Sequence, residues 1–304
     1  MIAFTFDNTF EGLLCVVYDA YTRRIHPDVL VGADEIAPLT AEVTHEVITD
    51  LAHSERVYRG LQKKLSAQAC RRLQYAWLSE EHEADMALFR YIRKVFDARR
   101  PVENDLADPD IFAVEKLAKK VVKEAQFLLG FVRFQKTADK RYAATISPRY
   151  NVLPLLLRHF ALRFAQQVWL IYDIGRRYGV MHDAQGFHEA FIDKEKAAAL
   201  SRNSGKLPLH ELDSEEIFVQ ELWKTYFATV AIQERRNPKL QARCMPRRFW
   251  EYLTEKQSCY DRPLRADSAD CRRPSGLRQQ GGELYGISLQ NSPQVIDIFQ
   301  KKTV

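Results

Sequence analysis

The segment between residues 235 and 248 carries six basic side chains and no acidic one. We call these six the basic cluster: Arg235, Arg236, Lys239, Arg243, Arg247 and Arg248. Asn237 and Pro246 stand where two short helices would begin, and backbone N–H groups at helix starts bind phosphate together with arginine side chains. The basic cluster and Asn237 are therefore a candidate anion site. The alternative is that these cations only pair with acidic residues of the segment 216–234.

Further cations come from the middle of the chain: Arg149, Arg163 and Arg176 or Arg177. If they share a face with the basic cluster, nucleic acid becomes the favoured ligand, because phosphate contacts supply most of the affinity that does not depend on sequence. Tyr150 could then stack on an unpaired base. Aromatic residues at such spacing are more often part of the core, so both interpretations of Tyr150 stay open.

One histidine could take part in acid–base chemistry. His159 with Asp173 or Tyr172 would form a catalytic pair if the helix and the strand that carry them meet, since histidine titrates near neutral pH. The alternative is a core histidine that is hydrogen-bonded to the backbone. Whether the chain is an enzyme therefore stays undecided at this stage.

The remaining histidines do not predict a metal centre. His159, His182 and His188 could meet with Asp183, but no HExxH, paired-cysteine or other ligand spacing is present. The sequence also has no P-loop, glycine-rich dinucleotide turn or GxSxG elbow. We therefore expect no metal and no other cofactor in this chain.

The elements that must position these groups centre on residues 147–179. Asn151 is a candidate N-cap, and apolar residues at three- and four-residue steps predict a helix from there to about Gln167. His159 and Arg163 lie at the border of its apolar stripe. The apolar run Val168 to Asp173 predicts a buried strand, and the residues after it a turn that carries Arg176 and Arg177.

The whole pattern predicts an α+β fold: a helix-rich single domain with a small antiparallel sheet covered by helices. A β-α-loop-β segment opens the chain, and residues 194–208 read as a linker or mobile loop. Asp213 and Glu216 predict a capping box for a long helix with an apolar stripe. The expected domain covers residues 1–255, with a helical insertion at about 50–130, a meander core at about 131–193, a helical closing segment at about 213–255, and a disordered tail at 256–304.

Composition excludes some classes of protein. No run of about 18 apolar residues predicts a membrane span, and the start of the chain does not resemble a secretory signal. Five widely spaced cysteines do not predict a disulfide framework. We therefore expect a cytoplasmic protein without membrane contact, and the net charge of +5 permits a polyanionic partner without requiring one.

Several separate motifs carry a family resemblance: FDxxFEGLLC, SPRYNVLPL, HFxxRF, WLIYDxxRxYG, RRNPKLQ and MPRRFW, in that order. Over about residues 1–255 the chain resembles a bacterial family of DNA repair or DNA metabolism proteins. The resemblance implies a radical-SAM iron–sulfur protein as partner, and an association with uracil-DNA-glycosylase-like domains. The chain itself lacks the CxxxCxxC motif of a radical-SAM cluster, so the resemblance implies an accessory role.

Three functional hypotheses follow from the sequence. The first is an accessory protein that binds DNA and presents it to the radical-SAM partner. The second is an enzyme that acts on a DNA base or nucleotide with His159 as the acid or base. The third is a scaffold that docks the partner and has no affinity for DNA.

Overall fold

A computed structural model describes residues 1–257, except positions 34, 37 and 82, together with the backbone of Ile287–Gln290. Within these ranges the chain forms two compact units rather than the one that we expected. Unit 1 comprises residues 1–124 and 149–152, and unit 2 comprises residues 125–148 and everything after 152. No helix within the described ranges is long and apolar enough to span a bilayer.

Unit 1 begins with a three-stranded parallel sheet in the order β2-β1-β3. Strand β1 (Ile2–Phe6) pairs with both β2 (Val29–Gly32) and β3 (Val43–Glu46). Helix α1 (Phe10–Arg23) connects β1 to β2, because parallel neighbours need a crossover connection. The strands β1 and β3 and the helix were expected, whereas β2 lies inside the segment that we expected to be a loop.

Four helices complete unit 1, as the periodicity of residues 50–130 predicts. They are α2 (Leu51–Lys64), α3 (Ala67–Trp77), α4 (Ala84–Asp97) and α5 (Pro109–Phe131), whose last residues belong to unit 2. Helices α2 and α4 pack against α1, and α3 packs against α4. The carboxylate of Asp108 accepts the N–H groups of Asp110 and Ile111, so this residue caps α5.

The start of helix α1 gives a direct stability prediction. The Thr9 hydroxyl accepts the N–H of Gly12 at 2.9 Å and satisfies one of the free amides of the first turn. We expect Thr9→Ala to lower the free energy of unfolding by about 1 kcal/mol, measured by urea denaturation. As a control, Thr22→Ala removes an exposed hydroxyl that only donates within the last turn and should cost less than about 0.5 kcal/mol. Equal losses in the two variants would contradict the capping role.

Unit 2 is built on a six-stranded sheet in the order β4-β5-β6-β7-β8-β9. Its strands are β4 (Gln135–Lys136), β5 (Tyr142–Ile146), β6 (Trp169–Asp173), β7 (Tyr178–Asp183), β8 (Gly186–Ile192) and β9 (Ile287–Gln290). Strands β6, β7 and β8 form the expected antiparallel meander. The sheet is not purely antiparallel, however, because helix α6 (Leu153–Arg163) crosses over from β5 to β6 and leaves these two strands parallel.

Both faces of this sheet are covered. On one face, Phe160 of α6 packs edge-on against Trp169 of β6, and Phe134 contacts both rings. On the other face, Leu200, Leu207 and Leu212 form an apolar cluster that partly buried Ala143 and Ile192 join. Leu200 belongs to helix α7 (Lys194–Arg202), which occupies most of the segment that we expected to be a linker or loop. The α+β class is thus confirmed, with two sheets instead of one.

The closing segment consists of two helices and several 3₁₀ turns. Helix α8 (Glu216–Thr229) and helix α9 (Pro238–Cys244) are followed by the 3₁₀ turns Arg247–Tyr252 and Thr254–Lys256. The expected capping box is absent from α8: Asp213 accepts the N–H of Glu215 and binds Lys140 instead. Of the expected disordered tail, residues 258–286 and 291–304 lie outside the described ranges, and residues 287–290 form β9.

Candidate nucleic-acid interface

The basic cluster occupies α9 and the two segments that flank it in unit 2. All six of its side chains are exposed. Helix α9 begins as expected, because the Asn237 side chain accepts the N–H of Leu240 at 3.0 Å. Asn237 therefore acts as a helix cap, and its side-chain oxygen is engaged inside the protein.

Two aromatic rings position the last arginines of the basic cluster. Phe249 is buried and anchors the 3₁₀ turn, and the indole N–H of Trp250 donates to the carbonyl of Met245 at 2.9 Å. The guanidinium of Arg248 lies 4.7 Å from the centre of the Phe249 ring, and that of Arg247 lies 5.7 Å from the Trp250 ring. Such contacts restrict the motion of a guanidinium group. This role of the two rings was not expected, although the local motif RRFW shows the spacing.

Five of the six charges of the basic cluster are not neutralised by the acids that we considered. Among residues 1–257 as described, no ion pair involves Arg235, Arg236, Lys239, Arg243 or Arg247. Glu221 binds Lys224 at 2.8 Å, and the buried Glu216 accepts a hydrogen bond from Gln220. The alternative that the cations pair with acidic residues of the segment 216–234 therefore fails for these five.

Arg149 and Tyr150 belong to unit 1 and are held by acidic residues. The guanidinium of Arg149 lies 3.6 Å from the carboxylate of Glu81 and 5.4 Å from the Tyr150 ring. Tyr150 is only 6% exposed, donates its hydroxyl to Glu81 at 3.2 Å, and has a pKa that burial raises. The backbone amides of both residues donate to the buried carboxylate of Glu124. The hypothesis that Tyr150 stacks on a base is therefore wrong, because its ring is packed inside the unit.

The other three arginines of the middle segment differ in their surroundings. Arg176 donates to the buried Asp173 carboxylate at 3.0 Å and to the carbonyl of Pro148 at 3.1 Å, so it serves the fold and is not a surface cation. Arg177 is exposed in the β6–β7 turn, with a left-handed backbone (φ 60°). Arg163 is exposed at the end of α6. These positions lie on separate elements, and we therefore assign the candidate interface to the basic cluster alone.

A comparison with family models identifies the segment that contains these residues. A model described as a domain of unknown function, DUF4130, matches residues 82–255, more than half of the chain. The chain belongs to the DUF4130 family. A search of curated proteins finds no significant match. Every candidate residue of the sequence analysis lies inside the DUF4130 segment, whereas strands β1, β2 and β3 precede it.

The expected acid–base group of the DUF4130 segment does not assemble. His159 is exposed on α6 and contacts only the edge of the Phe160 ring, at 5.1 Å. Within the described residues, no hydrogen bond joins it to Tyr172 or Asp173. Tyr172 and Asp173 are neighbours on β6, so their side chains point to opposite faces of the sheet. The hypothesis of a catalytic group formed by these three residues is therefore wrong.

A small cavity lies between the sheet of unit 2 and helix α7. It has a volume of about 30 Å³ and is lined mainly by apolar side chains, among them Leu170, Met181, Leu200 and Leu207. The buried Tyr172 also lines it, and burial raises the pKa of this phenol. The cavity has room for about two water molecules and none for a nucleotide. It therefore does not support an enzyme that acts on a base at this position.

The remaining histidines make local contacts. His188 lies 3.2 Å from Asp183 across the β7–β8 hairpin, and the His182 ring stacks on Trp169 with 5.1 Å between ring centres. In the part of the chain that the structure describes, no group of three or more His, Cys, Asp or Glu side chains could hold a metal ion. These histidines are thus explained by packing within the DUF4130 segment.

Proposed function

We propose that this DUF4130 protein binds nucleic acid through the basic cluster and acts as an accessory protein in DNA repair or DNA modification. The observation that carries the proposal is the set of exposed cations between residues 235 and 248, five of which form no ion pair with any described residue. A cation that has no internal partner keeps its full charge available to a phosphate. Replacement of the counterions of a nucleic acid by such cations drives association.

The chemistry of the cluster favours contacts to the backbone of a nucleic acid. Five of the six cations are arginines, whose planar guanidinium groups bind phosphate through two parallel hydrogen bonds. The rings of Phe249 and Trp250 restrict the motion of two of them before any ligand binds. Because phosphates are the same at every nucleotide, this surface supplies affinity and orientation, and no reading of base sequence is assigned to it.

The proposed partner is a radical-SAM iron–sulfur protein, and a uracil-DNA-glycosylase-like protein is a further candidate. Both follow from the motifs that resemble DNA repair or DNA metabolism proteins. Co-expression of the chain with the radical-SAM protein of the same genome, followed by affinity purification at moderate salt, tests the first partner. A complex that survives nuclease treatment supports a direct contact, and recovery of the two proteins in separate fractions rejects it.

The binding proposal is tested with the full chain and labelled single-stranded and duplex DNA. We expect fluorescence anisotropy to report binding that weakens steeply as salt rises from about 50 to 200 mM. About five phosphate contacts predict a slope of about −4 to −5 in a plot of log K against log salt for duplex DNA. Absence of salt-dependent binding to either form at the lowest salt would reject the proposal.

A further inference from the structure

Helix α8 exposes a row of apolar side chains to solvent. Four side chains at four-residue steps stand in solvent: Phe218 is 70% exposed, Leu222 and Tyr226 are 56% exposed, and Val230 is 58% exposed. We call these four the α8 stripe. Exposed apolar patches of this kind are uncommon on monomeric soluble proteins and mark interaction surfaces. The stripe expected from the sequence, which comprised Val219, Trp223, Tyr226, Phe227 and Val230, shares only Tyr226 and Val230 with the α8 stripe.

The helix cannot simply turn about its axis to bury the α8 stripe. Its opposite side is fixed in unit 2 by the buried pair Glu216 and Gln220, whose side chains are 2.8 Å apart. Trp223 donates to the Glu255 carboxylate at 3.0 Å, and Arg133 binds the same carboxylate at 2.7 Å. Burial disfavours a charge on Glu255, but the hydrogen bonds from Arg133 and Trp223 hold its pKa below the usual value. Rotation of α8 would expose the buried Glu216 and Gln220 and break the hydrogen bond from Trp223 to Glu255, so the stripe is held outward.

The face that α8 presents is also free of charge. The other exposed positions on this side of the helix are Val219, Thr225 and Thr229. The charged side chains of the helix lie off this face: Lys224 binds Glu221, and both are only partly exposed. Two such faces can meet without desolvating an ionised group, which is the main cost of bringing like surfaces together. A second copy of the chain is therefore a suitable occupant.

We propose that α8 pairs with α8 of a second copy in an antiparallel arrangement about a two-fold axis. The positions of the α8 stripe are compatible with this symmetry. In a two-fold contact, residue i meets residue j while j meets i. Phe218 and Val230 have residue 224 as their midpoint, and Leu222 and Tyr226 have the same midpoint. One register therefore places Phe218 against the partner's Val230 and Leu222 against the partner's Tyr226, a large side chain against a smaller one in each case.

The charges at the two ends of α8 favour the same orientation. Glu215 is exposed immediately before the helix, and the exposed Arg235 follows it. An antiparallel pair brings each Glu215 near the partner's Arg235, whereas a parallel pair would bring like charges together. Opposite charges at the rim of an interface select its orientation more than they add to its affinity. The acidic and basic ends thus specify the antiparallel pair, and the stripe supplies the apolar area.

The test measures the mass of the full-length chain by sedimentation in the absence of nucleic acid. We expect a concentration-dependent dimer of twice the chain mass of 35.3 kDa. Leu222→Glu should raise the dimer dissociation constant more than about tenfold, because it places a carboxylate against the partner's Tyr226. As a matched control, Leu162→Glu makes the same change at a side chain of α6 that is 74% exposed, and it should leave the dissociation constant unchanged.

A charge-pair rescue distinguishes this register from a general effect of added charge. Tyr226→Lys alone should weaken the dimer like Leu222→Glu, and the double variant should restore dimerisation, since each introduced carboxylate would then face the introduced ammonium group of the partner. A chain that stays monomeric at about 100 μM, where even a micromolar contact would be occupied, overturns the proposal. A dimer that Leu222→Glu does not weaken, or that the double variant does not recover, overturns it as well. Either result leaves the DNA-binding proposal standing, because that proposal rests on the charges of the basic cluster and needs neither the α8 stripe nor a dimer.

Discussion

Substitution of Arg236, Lys239 and Arg243 by glutamine should reduce the salt dependence of nucleic-acid binding by about three units of log–log slope. The three side chains are exposed, and none of them forms an ion pair with a described residue, so their removal leaves no carboxylate unpaired in that part of the chain. For each phosphate contact that is lost, binding releases about one counterion fewer, or about 0.9 for duplex DNA. The fold should be unaffected, because exposed polar substitutions of this kind rarely change stability by more than about 0.5 kcal/mol.

The difference is large enough to measure. If the unmodified chain makes about six phosphate contacts, its affinity for duplex DNA falls about 10³-fold between 50 and 200 mM salt. With about three contacts left, the same change of salt lowers the affinity only about 40-fold. Titrations by fluorescence anisotropy at four or more salt concentrations give both slopes, and thermal denaturation of each variant confirms that the fold is intact.

A matched control separates the basic cluster from net charge. The triple variant Arg59→Gln, Lys119→Gln and Arg158→Gln removes the same three charges from exposed positions elsewhere in the chain. If net charge alone attracts the DNA, the two triple variants will lose the same slope, and the assignment of the interface to residues 235–248 will be wrong. If the cluster is the interface, the control variant will keep a slope close to that of the unmodified chain.

The sequence predicts best those features whose partners are close along the chain. Asn237 was expected at a helix start and proves to be the cap, because a cap and the amide whose N–H it accepts are three residues apart. Strand β2 was missed, since its evidence lies in the pairing of Ala3 with Val29, which are distant in sequence. Likewise the parallel pairing of β5 and β6 follows from the crossover through α6, and a local pattern does not show which strands become neighbours.

The same rule explains the candidate site. The residues of the basic cluster are close together in the sequence, so the sequence alone shows that the segment is basic. The structure shows that its side chains are exposed. The interpretation of Tyr150 stayed open because Glu81, which accepts its hydroxyl, is 69 positions away in the sequence. For α8, the period of the apolar residues predicts a helix with an apolar side. It does not show what covers that side, and in this chain the other side is the one fixed to unit 2.

The second large effect concerns the buried ion pair of unit 2. Asp173 is completely buried, and its carboxylate accepts hydrogen bonds from the backbone N–H and the guanidinium of Arg176. Burial raises the pKa of Asp173 above its usual value, and the Arg176 charge opposes that effect. Removal of one partner of a buried ion pair lowers the free energy of unfolding by more than the intact pair contributes to it. The reason is that the remaining buried charge has no opposite charge beside it. We therefore expect Arg176→Met to lower the free energy of unfolding by about 3–5 kcal/mol at pH 7, measured by urea denaturation.

The pH dependence of this loss has a definite sign. Without Arg176 the pKa of Asp173 should rise further in the folded state, so folding favours the protonated carboxyl. Such a group contributes its stability below its unfolded pKa of about 3.9, and the contribution is lost as the pH rises through the folded value. The deficit of Arg176→Met relative to the unmodified chain should therefore shrink as the pH is lowered from 7 towards 4.5. A deficit that grows over this range would show that Asp173 is not the group left unpaired.

Two further variants decide whether Arg176 acts on the fold or on a ligand. Arg177→Met changes the neighbouring exposed arginine in the same turn and should cost less than about 0.5 kcal/mol. The double variant Asp173→Leu with Arg176→Met removes both charges and should recover most of the lost stability, since an apolar pair of similar size leaves no buried charge. If Arg176 were instead a surface contact for DNA, Arg176→Met would weaken DNA binding and leave stability unchanged. The 17% exposure of its side chain and its two internal acceptors, Asp173 and Pro148, predict the opposite result.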